Sequence, residues 1–452
     1  MLKRKYDKRI SEFLKSKEKK SVLLIDGVRQ AGKSTSVREN CKKLGLPLVE
    51  INFYFHPEHM ERLERCKTAN EIIDVVRLYN ENGTFVPHKT VIFFDEIQLF
   101  PRLLEKAKML VEEGSYTYVF SGSLLGITIR NIADIGVGYV DILQFYPLTF
   151  DEFVANVSNY GEELNQACRQ ALRELKPLRD DFHHVLIDLF YRYLAVGGMP
   201  ECVDSYVKTK LVSDTIPIKK KILADYKADF SKYESENRRL HLISLYESVP
   251  AFLLKENKRF TISYHSAFRT FADIEDDYLF LTHSGVALPV TRAAELKSPI
   301  RLVTDPTYFK LYLSDVGLLA ERYPVASIQS LLDHDGTINN GAMMENYVAQ
   351  TLMSNGFELH YYRVRSVGEV DFVIETSDKI IPVEVKSGKG YRSHRALDNA
   401  LAKYPCPISY VVSDKPLEVA GNIVYLPVYC LPFLKKEEEV SLKETPLPEI
   451  HL

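Results

Sequence analysis

The stretch Val22-Leu-Leu-Ile-Asp-Gly27-Val-Arg-Gln-Ala-Gly32-Lys-Ser-Thr35 decides how the first third of the chain folds. Its apolar run reads as a buried strand, and Gly27-x-x-x-x-Gly32-Lys33-Ser34 then opens a helical segment. This is the full P-loop pattern in the setting its mechanism needs; a chance glycine turn is the alternative. The glycines let backbone N–H groups along Gly27, Val28, Arg29, Gln30, Ala31 and Gly32 wrap a phosphate at a helix N-terminus. Lys33 reaches the terminal phosphates, the Ser34 hydroxyl takes a place on Mg2+, and Thr35 ends the nucleotide-binding run.

A second half of the site lies in Val91-Ile-Phe-Phe-Asp95-Glu96, an apolar strand ending in two carboxylates. Asp95 is suited to hold magnesium through water, and Glu96 to orient and polarise the attacking water. The run Thr117–Phe120 ends in Ser121-Gly-Ser123. If its strand lies beside the acidic one, either Ser121 or Ser123 can sense the terminal phosphate, an ordinary turn being the other reading. Apolar runs at Ser21–Ile25, Leu46–Phe53, Thr90–Phe94, Thr117–Phe120 and Val140–Phe145 alternate with charged helical segments, which predicts an α/β fold with a parallel sheet.

The whole chain, at 452 residues with 46% hydrophobic and 26% charged, has material for about three domains. A net charge of −3 gives no global field that would draw nucleic acid. No apolar run approaches the roughly 18 residues that cross a bilayer, and the charged N-terminus lacks an apolar segment behind it. A cytoplasmic protein with no membrane partner is expected. Cys41, Cys66, Cys168, Cys202, Cys406 and Cys430 form no close pair, so buried thiols are expected rather than zinc knuckles or disulfides. Phe150–Val157 and the stretch 161–206, broken at Gly197-Gly-Met-Pro200, predict a helical connector. Helices followed by the short runs Val286–Val290 and Ile300–Val303 suggest a winged helix-turn-helix, or a helical spacer with a hairpin. The expected divisions are 1–155, a connector at 156–235, a winged-helix-like unit at 236–335, a compact α/β unit at 336–434 and a loose tail at 435–452.

In that last unit, Glu369-Val-Asp-Phe-Val-Ile-Glu-Thr-Ser-Asp-Lys-Ile-Ile-Pro-Val-Glu-Val-Lys386 reads as a hairpin turning at Ser377-Asp378. Asp371 then faces Glu384 and Glu369 faces Lys386, while Val370, Phe372 and Ile374 share an apolar face with Ile381, Val383 and Val385. Opposed carboxylates destabilise a sheet unless something neutralises them, as a divalent cation would. On the preceding helix Glu345 falls on the inward stripe, where it needs a partner. Glu345, Asp371 and Glu384 as ligands of Mg2+ or Mn2+, with Lys386 positioning and deprotonating a water, make the set of a metal-dependent phosphodiesterase. A salt-bridged hairpin is the alternative. Lys219-Lys-Lys221, Lys255–Arg259, Arg363 and Arg365 offer weak support for contact with DNA.

Residues 1–155 resemble an AAA-type (AAA+) P-loop ATPase of a branch found in bacteria and archaea, on GVRQAGKST, VIFFDEIQ, FSGSLLG and YPLTFDEF in that order. The resemblance implies ATP as the nucleotide and allows a homo-oligomer in which an arginine completes a neighbour's site. Gly138-Tyr139 stands where relatives place Gly-Arg; Arg130 is then the nearest candidate, or else an exposed helix arginine. Residues 180–434 resemble the domain of unknown function that accompanies this branch, with GGMPE at 197–201 and YFKLYLSDVGLL at 308–319. Glu345-Asn346, Val370-Asp371-Phe372 and Glu384-Val-Lys386 are similar to a restriction-endonuclease-like PD-(D/E)xK core, which implies a nuclease fold.

Overall fold

Strand β1 (Val22–Gly27) is buried along its whole length, and its side chains alternate between two cores: Leu23 and Ile25 enter one, Val22 and Leu24 the other. The division repeats in β3 (Val91–Asp95) and β4 (Thr117–Gly122), where Phe93 and Val119 oppose Phe94 and Phe120. Runs without polar alternation thus mark a sheet covered on both faces, as parallel sheets are. With β2 (Leu48–Asn52) and β5 (Val140–Phe145) they form a five-stranded parallel sheet in the order β2-β3-β4-β1-β5. The structure, a computed structural model, describes residues 2–16, 18, 20–123, 138–233, 236–255, 270–335, 339–376, 379–388 and 390–436. Arg130, the turn at Ser377 and Asp378, the basic positions 256–259 and the tail from 437 lie outside them.

Helices α1 (Asp7–Lys15) and α2 (Lys33–Leu44) cover one face, and α3 (Glu58–Arg65), α4 (Ala69–Tyr79) and α5 (Ala107–Glu113) the other. The predicted connector is helical: α6 (Phe150–Val157), α7 (Gly161–Glu174), α8 (Asp180–Val196), α9 (Pro200–Thr209) and α10 (Ile216–Tyr233). A capping box opens α6, with Glu152 accepting the Thr149 N–H at 2.9 Å. Then come α11 (Glu236–Leu253) and α12 (Glu275–His283).

A mixed sheet of eight strands fills the C-terminal part, in the order β12-β13-β11-β10-β9-β8-β6-β7. Its strands are β6 (Ala287–Ala293), β7 (Thr304–Leu313), β8 (His360–Val364), β9 (Gly368–Thr376), β10 (Lys379–Val385), β11 (Ser409–Ser413), β12 (Glu418–Ala420) and β13 (Ile423–Pro427). Short helices α13 (Val316–Ala320) and α14 (Val325–Leu332) precede the central α15 (Gly341–Ser354), and α16 (Arg395–Lys403) lies on the outer face. Ile300–Val303 is a 3-10 turn and not the expected strand: Ile300 plugs a small core beside Tyr362 while Leu302 is 81% exposed. The strand expected to begin the wing, β6, pairs instead with β7 and with β8, at the edge of the hairpin's own sheet. A boundary at 335 would therefore cut one sheet. Six of six cysteines are buried and free, as expected. Among the described residues no helix is long and apolar enough to cross a membrane.

Candidate nucleotide site and carboxylate hairpin

Parallel register sets Asn52, Asp95 and Ser121 side by side at the carboxyl ends of β2, β3 and β4. Open α/β sheets take ligands at this edge. Asp95 accepts from Ser34 Oγ at 2.8 Å, from Asn52 Nδ2 at 3.1 Å and from the Ser121 hydroxyl. Glu96 follows in a left-handed conformation, φ 58°, with its N–H on Asp95 Oδ1 at 3.0 Å and its carboxylate accepting from Gln98. That conformation costs about 1–3 kcal/mol in a non-glycine residue and turns Glu96 out of the strand direction. Gly27 is required where it stands: at φ 148° a Cβ there would lie 2.0 Å from the Phe145 carbonyl oxygen.

Lys33 is turned back on its own loop, donating to the Gly27 and Val28 carbonyls at 2.8 and 2.9 Å. Burial pushes its pKa down, while Glu96, Asp26 and Asp95 pull the other way. A phosphate would satisfy this desolvated ammonium better than two neutral carbonyls. The loop and the strand ends open on a cavity of about 620 Å3 lined by Lys33, Ser34, Thr35, Asp95, Glu96 and Ser123, a volume in the range of small-molecule sites. Of the two candidate serines, Ser121 is fully buried on Asp95, and Ser123 lines the cavity, its N–H on Gln98 Oε1 at 3.2 Å.

Several contacts had no sequence motif to announce them. Arg4, buried, donates to the Ala31 carbonyl at 2.7 Å, to Tyr146 O at 2.7 Å and to Glu152 at 3.0 Å, tying the N-terminus to the loop. Arg29 pairs with Asp229, Gln30 donates to Asp225 at 2.8 Å, and the Tyr226 hydroxyl donates to Arg29 O at 3.1 Å. One face of α10 thus clasps the variable positions of the P-loop. Asp225 and Asp229 stand one helical turn apart, a spacing visible in sequence but without a partner to point to.

The hairpin has the predicted register: Thr376 faces Lys379, Ile374 faces Ile381 and Phe372 faces Val383, so Asp371 and Glu384 come next. Three details differ. Val370 groups with Tyr362 and Val373 in the smaller core and not with Phe372, because the β8–β9 register shifts between His360 and Tyr362. Glu369 pairs with Lys310 at 2.6 Å and Arg363 at 3.3 Å, not with Lys386. Lys386 instead holds Glu384 at 2.9 Å. Asp371 accepts the Val385 N–H at 2.9 Å, and Glu345, 4% exposed as expected of the inward stripe, accepts from the Tyr312 hydroxyl at 3.0 Å.

The oxygens of Glu345, Asp371 and Glu384 do not all lie within 4.8 Å of one another, so they form no ready ligand set. Lys310, wholly buried, explains this: burial lowers its pKa, but Glu369, Glu345 and Asp371 outweigh that and raise it, so a lysine supplies the positive charge that a cation would. Glu384 is the remaining stress. Burial raises its pKa against the pull of Lys386, and its Oε2 has no hydrogen-bond partner among the described residues. Of the basic segments, Lys219 is buried with its ammonium on the Ala195 carbonyl at 2.6 Å, and Arg363 is engaged by Glu369.

Residues 19–154 match the AAA domain family. This part of the chain, which carries the P-loop and the acidic strand end, is similar to AAA-type domains. Residues 187–327 and 340–431 of the same chain match two domains of unknown function, DUF8612 and DUF4143. No curated protein matches in sequence. Among solved structures, the chain is similar to the Walker-type ATPase Paby2304 of Pyrococcus abyssi, at 13% identity and a TM-score of 0.42, over 72% of this chain and 96% of that one. AMPPCP-bound DnaA from Aquifex aeolicus aligns at 13% identity and 0.28, over 55% and 73%. Pif1 helicase from Candida albicans aligns at 13% and 0.24, over 43% and 48%.

Proposed function

We propose that the AAA-type domain binds ATP with Mg2+, hydrolyses it, and passes its nucleotide state through α10 to a nuclease-like C-terminal sheet that contacts DNA. The observation that carries the nucleotide half is the contact of Ser34 with Asp95 at 2.8 Å on the wall of a nucleotide-sized cavity. A hydroxyl and a carboxylate placed together fit Mg2+, whose chemistry is to neutralise charge on the phosphate oxygens. The chain's own residues do the rest. Lys33 and the loop amides hold phosphate, Arg4 and α10 fix the loop, and Glu96 takes the proton of the attacking water. Gln98 bonds both Glu96 and the Ser123 amide and so keeps base and phosphate-facing wall in register. Lys33→Ala is expected to lower ATP hydrolysis by about a hundredfold or more; phosphate release at the wild-type rate would refute the assignment.

The DNA half rests on the order and register of Glu345, Asp371, Glu384 and Lys386. A second reading, an ATP-dependent switch that does not cut, is favoured by Lys310, which already balances the acids a metal would need. Plasmid incubated with Mg2+ or Mn2+, with and without ATP, separates the two readings. Cleavage lost in Asp371→Ala/Glu384→Ala supports the nuclease. Binding of DNA without cleavage supports the switch.

A further inference from the structure

The turn that leaves β2 and the first residues of α3 gather ligands that neither the nucleotide site nor the hairpin uses. In His56-Pro57-Glu58-His59, one carboxylate oxygen of Glu58 lies 3.2 Å from His56 Nδ1 and 3.5 Å from His59 Nε2. Among the described residues, these three alone bring their ligand atoms within 4.8 Å of one another as a group. Ligands at about 2.0–2.1 Å around a tetrahedral ion stand about 3.3 Å apart, so the two measured separations are already those of coordination edges. We propose that His56, Glu58 and His59 form a binding site for a divalent transition ion of the Zn2+ class, separate from the Mg2+ of the nucleotide site.

The donor set selects the ion. Two imidazoles and one carboxylate suit Zn2+ and its neighbours and not Mg2+, which demands octahedral oxygen. One ligand, His59, is held in advance, and the His56 ring must turn for both in-plane lone pairs to meet at one ion. His59 is buried and stacks on Tyr79 at 3.6 Å, and the His56 ring stacks on His59 at 4.9 Å with the planes 6° apart. The His56 N–H bonds Asn52 O at 3.0 Å, and the His59 N–H bonds His56 O at 3.2 Å. A plain ion pair would account for one histidine at Glu58; it does not account for both converging on one oxygen. His59 Nδ1 has no hydrogen-bond partner among the described residues. The outer support that adds about 10–100-fold to metal affinity is thus missing, and binding is modest. Asn52, whose carbonyl anchors His56, also donates to Asp95, so an occupied site stiffens the strand end beside the nucleotide.

The full-length protein, in excess Mg2+, is titrated with Zn2+ and separately with Co2+, whose tetrahedral complexes absorb in the visible. The comparison is with His56→Ala/Glu58→Gln, both at exposed positions, and with Asp371→Ala/Glu384→Ala. One equivalent of Zn2+ with tetrahedral Co2+ absorption is expected in the wild type and in the hairpin variant. At least a tenfold loss of affinity is expected in the loop variant. No saturable binding by the wild type, or equal affinity in the loop variant, overturns the proposal. So does loss of the ion in the hairpin variant alone.

Discussion

Lys310 has no exposed surface, yet it stays charged because Glu369, Glu345 and Asp371 surround it. Removing it leaves buried carboxylates uncompensated, and such losses cost about 3–5 kcal/mol. Lys310→Met should therefore lower unfolding free energy by that amount in urea titration, whereas Lys386→Met, at a partly exposed position, should cost about 1 kcal/mol. Asp315 gives the sign of a pH effect. Burial raises its pKa to about 6, despite bonds from the Gly198 and Leu318 N–H groups and the nearby charge of Lys219. The folded state then holds this proton more tightly than the unfolded chain, so stability is full below about pH 4 and declines as pH rises to about 6. The decline is on the order of 3 kcal/mol for a shift of this size. Denaturation across that window should show the decline in wild type and its absence in Asp315→Asn; parallel curves would refute it. At the proposed nucleotide site, Asn52→Ala removes one donor to the Asp95 carboxylate. Turnover should fall between about tenfold and a hundredfold in steady-state assays.

The central strands of the N-terminal sheet, β1, β3 and β4, were legible because each is an apolar run with its chemistry at the carboxyl end. β5 falls where the sequence places it, at Val140–Phe145, and the hairpin register followed from alternation and turn composition. What was not legible depends on contacts between distant segments. Nothing local distinguishes Ile300–Val303, a turn, from a strand, and no spacing rule links Arg29 to Asp229 or Glu369 to Lys310. The α10 clasp has a measurable consequence. Asp225→Ala/Asp229→Ala frees Arg29 and Gln30, so amide exchange in residues 216–233 should quicken and lose its dependence on added nucleotide. Exchange that still slows with nucleotide in this variant would mean that α10 senses the site by another route.

One apolar core runs from α1 and β1 through α8 to α15, β10 and β13, so the nucleotide-binding end and the hairpin share a continuous interior. The tightest crossing is at Gly197, Gly198 and Gly317. A Cβ on Gly317 would lie 2.5 Å from the Val196 carbonyl oxygen, and one on Gly198 would lie 2.0 Å from that of Leu148. This explains why GGMPE and SDVGLL, far apart in sequence, carry their glycines and Asp315: they are the two sides of one joint. Gly317→Ala should cost at least about 3 kcal/mol, and a single thermal transition should shift as a whole. Saturating nucleotide at a hundredfold excess over Kd should add about 2.7 kcal/mol, read as slowed exchange in β10 as well as β1.

The pairing of β6 with β8 carries a final consequence. Cut between residues 335 and 336, the chain would give two fragments, each ending in a raw strand edge whose unpaired amides and carbonyls invite aggregation. The halves of this protein are therefore bound to one fate: a gene fusion, a proteolytic nick or an expression boundary placed there damages both. Descent should then have carried the P-loop domain and its C-terminal sheet as one heritable piece.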